Sequence, residues 1–153
     1  MRAVIQRVTR ASVTVGDELV SSIGRGICVL VGVERDDKED DVEYIIRKLI
    51  GIRLFPNKET GKRWDKSVKD MDFEILCVSQ FTLHGFLKGN KLDFHRSMGG
   101  DEAPAFYGNF IEKLRSAYKP NLVKDGRFGA YMQVAMENDG PVTICIDSRN
   151  REM

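Results

Sequence analysis

Apolar residues along this chain follow two periods, and the switches between them mark its elements. Residues 2–9 and 11–15 are rich in Val, Ile and Thr, and Gly16-Asp17 then leads to a short apolar run at Leu19-Val20, which predicts strands and a hairpin. After Gly24-Arg25-Gly26 comes ICVLVGV, apolar on both faces, as expected of a strand buried at the centre of a sheet or barrel. The period then becomes helical. Val42, Ile45, Ile46 and Leu49 share one face, and Asp36 followed by Glu39 has the spacing of a capping box. Lys38, Glu39, Asp40 and Glu43 form the solvated side of that helix.

Residues 56–72, PNKETGKRWDKSVKDMD, are polar and contain Pro56 and Gly61, which predicts loops around one short ordered piece anchored by Trp64. EILCVSQFTL resumes strand character, and HGFLKGNKLDFHRSMGG follows as a loop long enough to carry function. Asp101 is placed to cap a second helix with Pro104 in its first turn, and Ala103, Phe106, Phe110, Leu114 and Ala117 form a stripe that packs on the sheet. Ala130, Met132, Val134 and Met136 alternate with polar neighbours until Asn138-Asp139-Gly140-Pro141 breaks the pattern before VTICID, which predicts a closing hairpin. Strands outnumber helices and do not alternate regularly with them. The expected class is therefore α+β: a single domain over 1–147 with a largely antiparallel sheet or open β-barrel and two main helices, followed by a frayed tail at 148–153.

Composition narrows the function classes. The chain has 153 residues, 42% hydrophobic and 31% charged, with no run apolar enough to span a membrane or to form a signal-peptide core, so a cytoplasmic protein is expected. With 24 basic and 23 acidic side chains the net charge is +1, so contact with a nucleic acid must be local. Cys28, Cys77 and Cys145 sit among apolar neighbours without a C-x-x-C pair, and read as buried reduced thiols.

Catalytic groups are sparse. Only His84 and His95 are near-neutral bases, no HExxH, P-loop or GxSxG motif occurs, and neither a metal nor a cofactor is expected. Two short stretches stand out: Ser79-Gln80-Phe81-Thr82-Leu83 at a strand end, and Asn138-Asp139-Gly140-Pro141-Val142-Thr143 between two strands. Taken singly, each has a plain structural reading, the first as a strand end with local side-chain bonds and the second as a turn.

Together and in this order they resemble the D-aminoacyl-tRNA deacylase family, and the likeness runs from MRAVIQRV through GRFGAYMQV to NDGPVT. KGNKLDFH and FYGNFIEKLR are similar to eukaryotic members, which usually have Pro where this chain has Leu92. The resemblance implies hydrolysis of the ester of D-aminoacyl-tRNA, with glycyl-tRNA as a further substrate. It implies a homodimer with active sites at the subunit interface. A cis Gly140-Pro141 bond, held by Arg7, reaches into the partner's pocket and rejects L-aminoacyl esters by collision with backbone. By the same resemblance Ser79, Gln80, Phe81 and Thr82, with Phe128, Gly129 and Met132, form the pocket for the aminoacylated tRNA 3′ end. Thr82 and Gln80 are the catalytic candidates, though no base neighbours Thr82. The substrate's 2′-hydroxyl and main-chain amides are expected to supply most of the catalysis.

Lys88, Lys91 and Arg96 in the long loop are candidate contacts to RNA, and basic loop residues are also commonly just solvated. Two other readings stay open: a non-enzymatic RNA- or DNA-binding module, and an ester hydrolase using Ser79 or Thr82 as nucleophile.

Overall fold

β1 (Arg2–Val15) is the spine of the molecule, because it is long enough to serve three neighbours. One edge pairs antiparallel with β8 (Gln133–Asp147) along almost its whole length. The other edge pairs antiparallel with β3 (Gly26–Gly32) over Arg2–Val8 and with β2 (Glu18–Ile23) over Ala11–Val15. The computed structural model describes residues 1–152, so Met153 lies outside the described residues. From β3 the chain crosses through α1 (Glu39–Gly51) and the single turn α2 (Val68–Met71) to β4 (Glu74–Ser79), and through α3 (Ala103–Ala117) to β7 (Val123–Asp125). Each crossover contains a helix long enough to return the chain, so β3–β4 and β4–β7 are parallel. β5 (Phe86–Lys88) and β6 (Lys91–Asp93) form a separate small hairpin.

The sheet is therefore mixed, and it is nearly closed, with the Ser21 hydroxyl on β2 donating to the Asp125 carbonyl of β7 at 2.8 Å. This is the α+β single domain with two main helices expected from the pattern. β3 is covered on both faces. Ile27, Val29 and Val31 pack with Val42, Ile45 and Leu49 of α1 and Phe110 and Leu114 of α3, while Cys28 on the other face packs with Val8, Val13, Leu76 and Val78.

Several local expectations are corrected. The Asn138–Pro141 stretch is not a hairpin turn. β8 runs through it without a break, and Asp139–Val142 stand opposite the single residue Arg7 in a bulge between the pairs Gln6↔Thr143 and Val8↔Asn138. Lys38, not Asp36, is the N-cap of α1, and Asp41 accepts a bond from the Lys38 amide at 2.8 Å. Glu102, not Asp101, precedes α3, whose buried face is completed by Tyr107 and Ile111 while Ala117 is exposed. Trp64 does not anchor the 56–72 segment; Val68 does, and Trp64 is 53% exposed. Cys145 is exposed on the outward side of β8, whereas burial pushes the Cys28 thiol up to about 11 and Cys77 well above its ordinary range.

The described part of the tail is tied down rather than frayed. Ser148 is buried, its hydroxyl accepting from the Met1 ammonium at 2.8 Å and donating to Asp41 at 2.6 Å, and Arg151 pairs with Asp40. The same ammonium pairs with buried Asp37 at 2.7 Å. A buried charge of this kind is stable only with such partners, and the two come from segments far apart in the chain.

Candidate functional site

The Ser79–Thr82 stretch begins where β4 runs out. The Gln80 amide still donates to the Val31 carbonyl at 2.7 Å, after which Phe81–His84 fold into a 3-10 turn lying on β3. Gly32 permits this contact, since a Cβ there would stand 2.9 Å from Leu83 Cβ and 3.1 Å from the Gln80 carbonyl. Three side chains hold the turn: Nε2 of buried His84 donates to the Gly32 carbonyl at 3.1 Å, Arg2 to the Leu83 carbonyl at 3.0 Å, and Ser97 to the Phe81 carbonyl at 2.9 Å. In such a turn the N–H groups of Phe81 and Thr82 have no acceptor within the turn itself.

Beside the turn lies a cavity of about 310 Å³ lined by Ser79, Gln80 and Phe81 together with Phe128, Gly129 and Met132. Five residues assigned to substrate by the sequence, and Gln80 with them, are thus brought together. Val31, Val78 and Met98 complete its floor, and Tyr131, 86% exposed, stands at its rim. Gly126 allows the 126–132 loop to fold tightly, because a Cβ there would meet the Met132 sulfur at 2.8 Å. Gly129 takes φ +76°. Tyr107 supports Phe128 edge-on at 5.7 Å, and its hydroxyl donates to Asp125 at 2.8 Å.

Thr82 does not line this cavity. It is exposed, and its hydroxyl accepts from the Gln80 side-chain amide at 2.5 Å. No base reaches it among the bonds of the described residues. His84 is turned to Gly32, and Nδ1 of His95 lies 2.5 Å from Asp93. The His95 amide, then its ring, then Lys88 hold the Asp93 carboxyl far below the usual carboxylate range.

Burial, opposed by the bond to Gly32, holds His84 below its ordinary 6.5. The unfolded chain therefore takes up a proton at a pH where the folded chain does not, and stability falls as pH drops below 6.5. The thermal midpoint of the wild type is expected to decline from pH 6.5 to 5.5, and His84→Gln is expected to flatten that decline. Equal slopes in the two proteins, measured by circular dichroism melts, would refute this assignment.

Gly140, Pro141 and Arg7 form a second constellation. The Gly140-Pro141 bond is cis. Arg7, whose side chain is 16% exposed, donates to the Asp139 carbonyl at 2.9 Å and to the Leu54 carbonyl at 2.6 Å, joining the bulge to the segment after α1. The Asn138 side chain accepts from the Val142 amide at 2.8 Å, closing the bulge from within. This constellation borders another cavity, of about 530 Å³, which shares no lining residue with the first. From Val134, which lines the first cavity, to Asp139, which lines the second, the chain covers roughly 16 Å of strand. Lys88, Lys91 and Arg96 lie apart from both cavities on and after the β5–β6 hairpin, where Lys88 pairs with Asp93 at 3.1 Å and Arg96 stacks on Phe86 at 4.4 Å. Lys91 makes no ion pair among the described residues. The sequence reading missed Tyr131 and every residue of the second cavity outside the Gly-Pro bulge and Arg7; a lone Trp in the polar run KRWDK was the one available signal.

A family profile described as D-Tyr-tRNA(Tyr) deacylase matches residues 4–147. The chain is 59% identical over 148 residues to D-aminoacyl-tRNA deacylase 1 of Bos taurus, covering 97% of this chain and 70% of that one. It is 60% identical over 148 residues to D-aminoacyl-tRNA deacylase of Drosophila melanogaster, covering 97% and 92%. A solved structure described as c-Myc DNA Unwinding Element Binding Protein superposes with a TM-score of 0.92 at 57% identity, over 96% of this chain and 98% of that one. Another, described as a probable eukaryotic D-amino acid tRNA deacylase, shares the fold with a TM-score of 0.80 at 22% identity, over 95% and 98%.

Proposed function

The chain belongs to the D-Tyr-tRNA(Tyr) deacylase family, and from that premise we propose that it hydrolyses D-aminoacyl-tRNA to free D-amino acid and tRNA. The observation that carries this reading is the family match over 4–147 together with relatives about 60% identical along 97% of the chain.

The first cavity takes the terminal adenosine and its ester. Phe81 and Phe128 supply apolar surface, Ser79 and Gln80 supply hydrogen bonds, and exposed Phe81, Phe128 and Tyr131 around the mouth are covered by a second copy of the chain. The two constellations border cavities that share no lining residue, which supports a homodimer in which Gly140-Pro141 of one chain serves the first cavity of the other. In the dimer each bulge, clamped by Arg7, enters the partner's cavity as a wall of backbone. An L side chain strikes that wall and a D side chain points away from it, so many D side chains are tolerated and the glycyl ester also passes.

Water adds across the ester. Its oxygen bonds to the acyl carbon, the bond to the ribose oxygen breaks, and that oxygen leaves with a proton. The neighbouring 2′-hydroxyl assists, and the Phe81 and Thr82 amides stabilise the charge that develops on the carbonyl oxygen. The reaction so described needs no metal or cofactor, and the protein works in the cytoplasm.

The test is release of amino acid from matched D- and L-aminoacyl-tRNA carrying one side chain. Turnover of the D ester alone is expected; equal rates for both would overturn the filter, and no turnover of either would overturn the deacylase reading. Thr82→Ala is expected to retain activity within about tenfold of wild type, the scale of one lost hydrogen bond. If Thr82 or Ser79 were a nucleophile, its removal would instead cost on the order of 10⁴-fold or more. The structural relative described as binding a DNA unwinding element favours one second reading, a nucleic-acid-binding module. It is distinguished by salt-dependent binding without turnover.

A further inference from the structure

The second cavity has a composition its place beside the bulge does not require. Its floor is apolar, with Phe55 and Phe73 meeting edge-to-face at 5.0 Å beside Met71. Its rim carries Arg7, Arg25, Lys58 and Arg63 against one carboxylate, Asp139. That carboxylate is already shared, 3.6 Å from Arg7 and 3.6 Å from Arg25. Lys58 and Arg63 are exposed and make no ion pair among the described residues, in a chain whose net charge is only +1. The positive charge here is therefore local and uncompensated.

Trp64 stands in the same rim. It is the sole tryptophan of the chain, 53% exposed, with φ 55°, a conformation uncommon for a bulky residue. The segment presenting it is tied to Phe55 through backbone bonds. The amides of Asp65 and Lys66 both donate to the Phe55 carbonyl, at 3.0 and 2.8 Å, and the Phe55 amide returns a bond to the Lys66 carbonyl at 2.9 Å. The Arg7 guanidinium lies 5.8 Å from the ring centre. A preorganised, half-exposed indole beside unpaired cations is the combination that binds single-stranded nucleotides, the ring stacking on a base and the cations meeting phosphate.

We propose that this cavity is a binding site for the single-stranded 3′ end of transfer RNA. It takes the nucleotide just before the terminal adenosine, with its base on Trp64 and its phosphate between Arg25, Lys58 and Arg63. The assignment rests on the reading that Gly140-Pro141 meets the ester, since both residues line this cavity and so set it beside the substrate they engage. In the dimer, the chain that supplies the filter thus also grips the RNA held by its partner.

Because the chain has one tryptophan, its intrinsic fluorescence reports on the site directly. Full-length protein is titrated with the trinucleotide CCA and, separately, with adenosine monophosphate, while turnover of D-aminoacyl-tRNA is followed in the same preparation. Saturable quenching by CCA is expected, reversed by salt and roughly tenfold weaker in affinity in the Lys58→Ala, Arg63→Ala double variant, whose folding is checked by its thermal midpoint. Unchanged fluorescence in protein that hydrolyses its substrate would overturn the site and leave the deacylase reading standing. Equal affinity for the mononucleotide and CCA would overturn the RNA-end assignment in favour of a free-nucleotide site.

Discussion

Replacing Gly26 by alanine is expected to cost about 3 kcal/mol of stability or more, a large share of the roughly 5–15 kcal/mol that holds a domain folded. A Cβ at this position would lie 1.8 Å from the Glu74 carbonyl oxygen and 2.9 Å from the Glu74 amide nitrogen. Both are backbone atoms in the parallel pairing of β3 with β4, so no side-chain rotamer relieves the clash. Separating the strands would disturb Ile27, Val29, Ile75 and Cys77, all buried in the main core. Urea denaturation of purified protein checks this, and a midpoint within experimental error of wild type would refute it. Gly51→Ala is the control, because nothing stands within 4 Å of a Cβ there.

Arg7→Ala is expected to lower kcat/KM for D-aminoacyl-tRNA by about 100-fold while leaving the protein folded, the scale of effect that follows when a reacting geometry is misplaced by about 1 Å. Arg7 is the one residue facing the four-residue bulge, and its bonds to the Asp139 and Leu54 carbonyls tie the bulge to the segment after α1. Without it the Asp139 carbonyl loses this donor, and the bulge keeps the Asn138 side-chain bonds to the Val142 amide and the Thr143 hydroxyl and the approach of Arg25 to the Asp139 carboxylate at 3.6 Å. A lysine cannot bond two carbonyls from one planar fork, so Arg7→Lys is expected to restore little. Discrimination between D and L esters is expected to weaken along with rate. Full activity and full selectivity in Arg7→Ala would show that the bulge keeps its shape unaided. Loss of the folded state, seen in the thermal midpoint, would show that Arg7 acts on stability instead.

Elements were legible where burial imposed a period. ICVLVGV announced a strand covered on both faces, and the helical spacing of Val42, Ile45 and Leu49 announced α1. Helix ends were less legible. Several acidic residues near position 36 could cap, and the choice of Lys38 and Asp41 depended on Asp37 being drawn to the Met1 ammonium and Asp41 to Ser148. The closing hairpin failed for a comparable reason. Asn-Asp-Gly-Pro is turn chemistry when read locally, but fifteen residues of β8 find a continuous partner in β1, and the ladder carries the motif as a bulge.

By itself the sequence determined the α+β class, the central position of β3, the two main helices and the two motif stretches around which a site could form. Each of these follows from local periodicity or from residue types that constrain their own backbone. Only the tertiary structure decided that Thr82 is missing from the lining of the cavity its neighbours form, that Arg7 bonds the Asp139 and Leu54 carbonyls together, and that the two motifs border separate cavities. It also gathered Arg25, Lys58, Arg63 and Trp64 around one hollow. The physical reason is that a side chain's surroundings depend on pairings between segments far apart in the chain. Arg7 meets Asp139 because β1 and β8 share a register, and no spacing within either segment encodes that meeting.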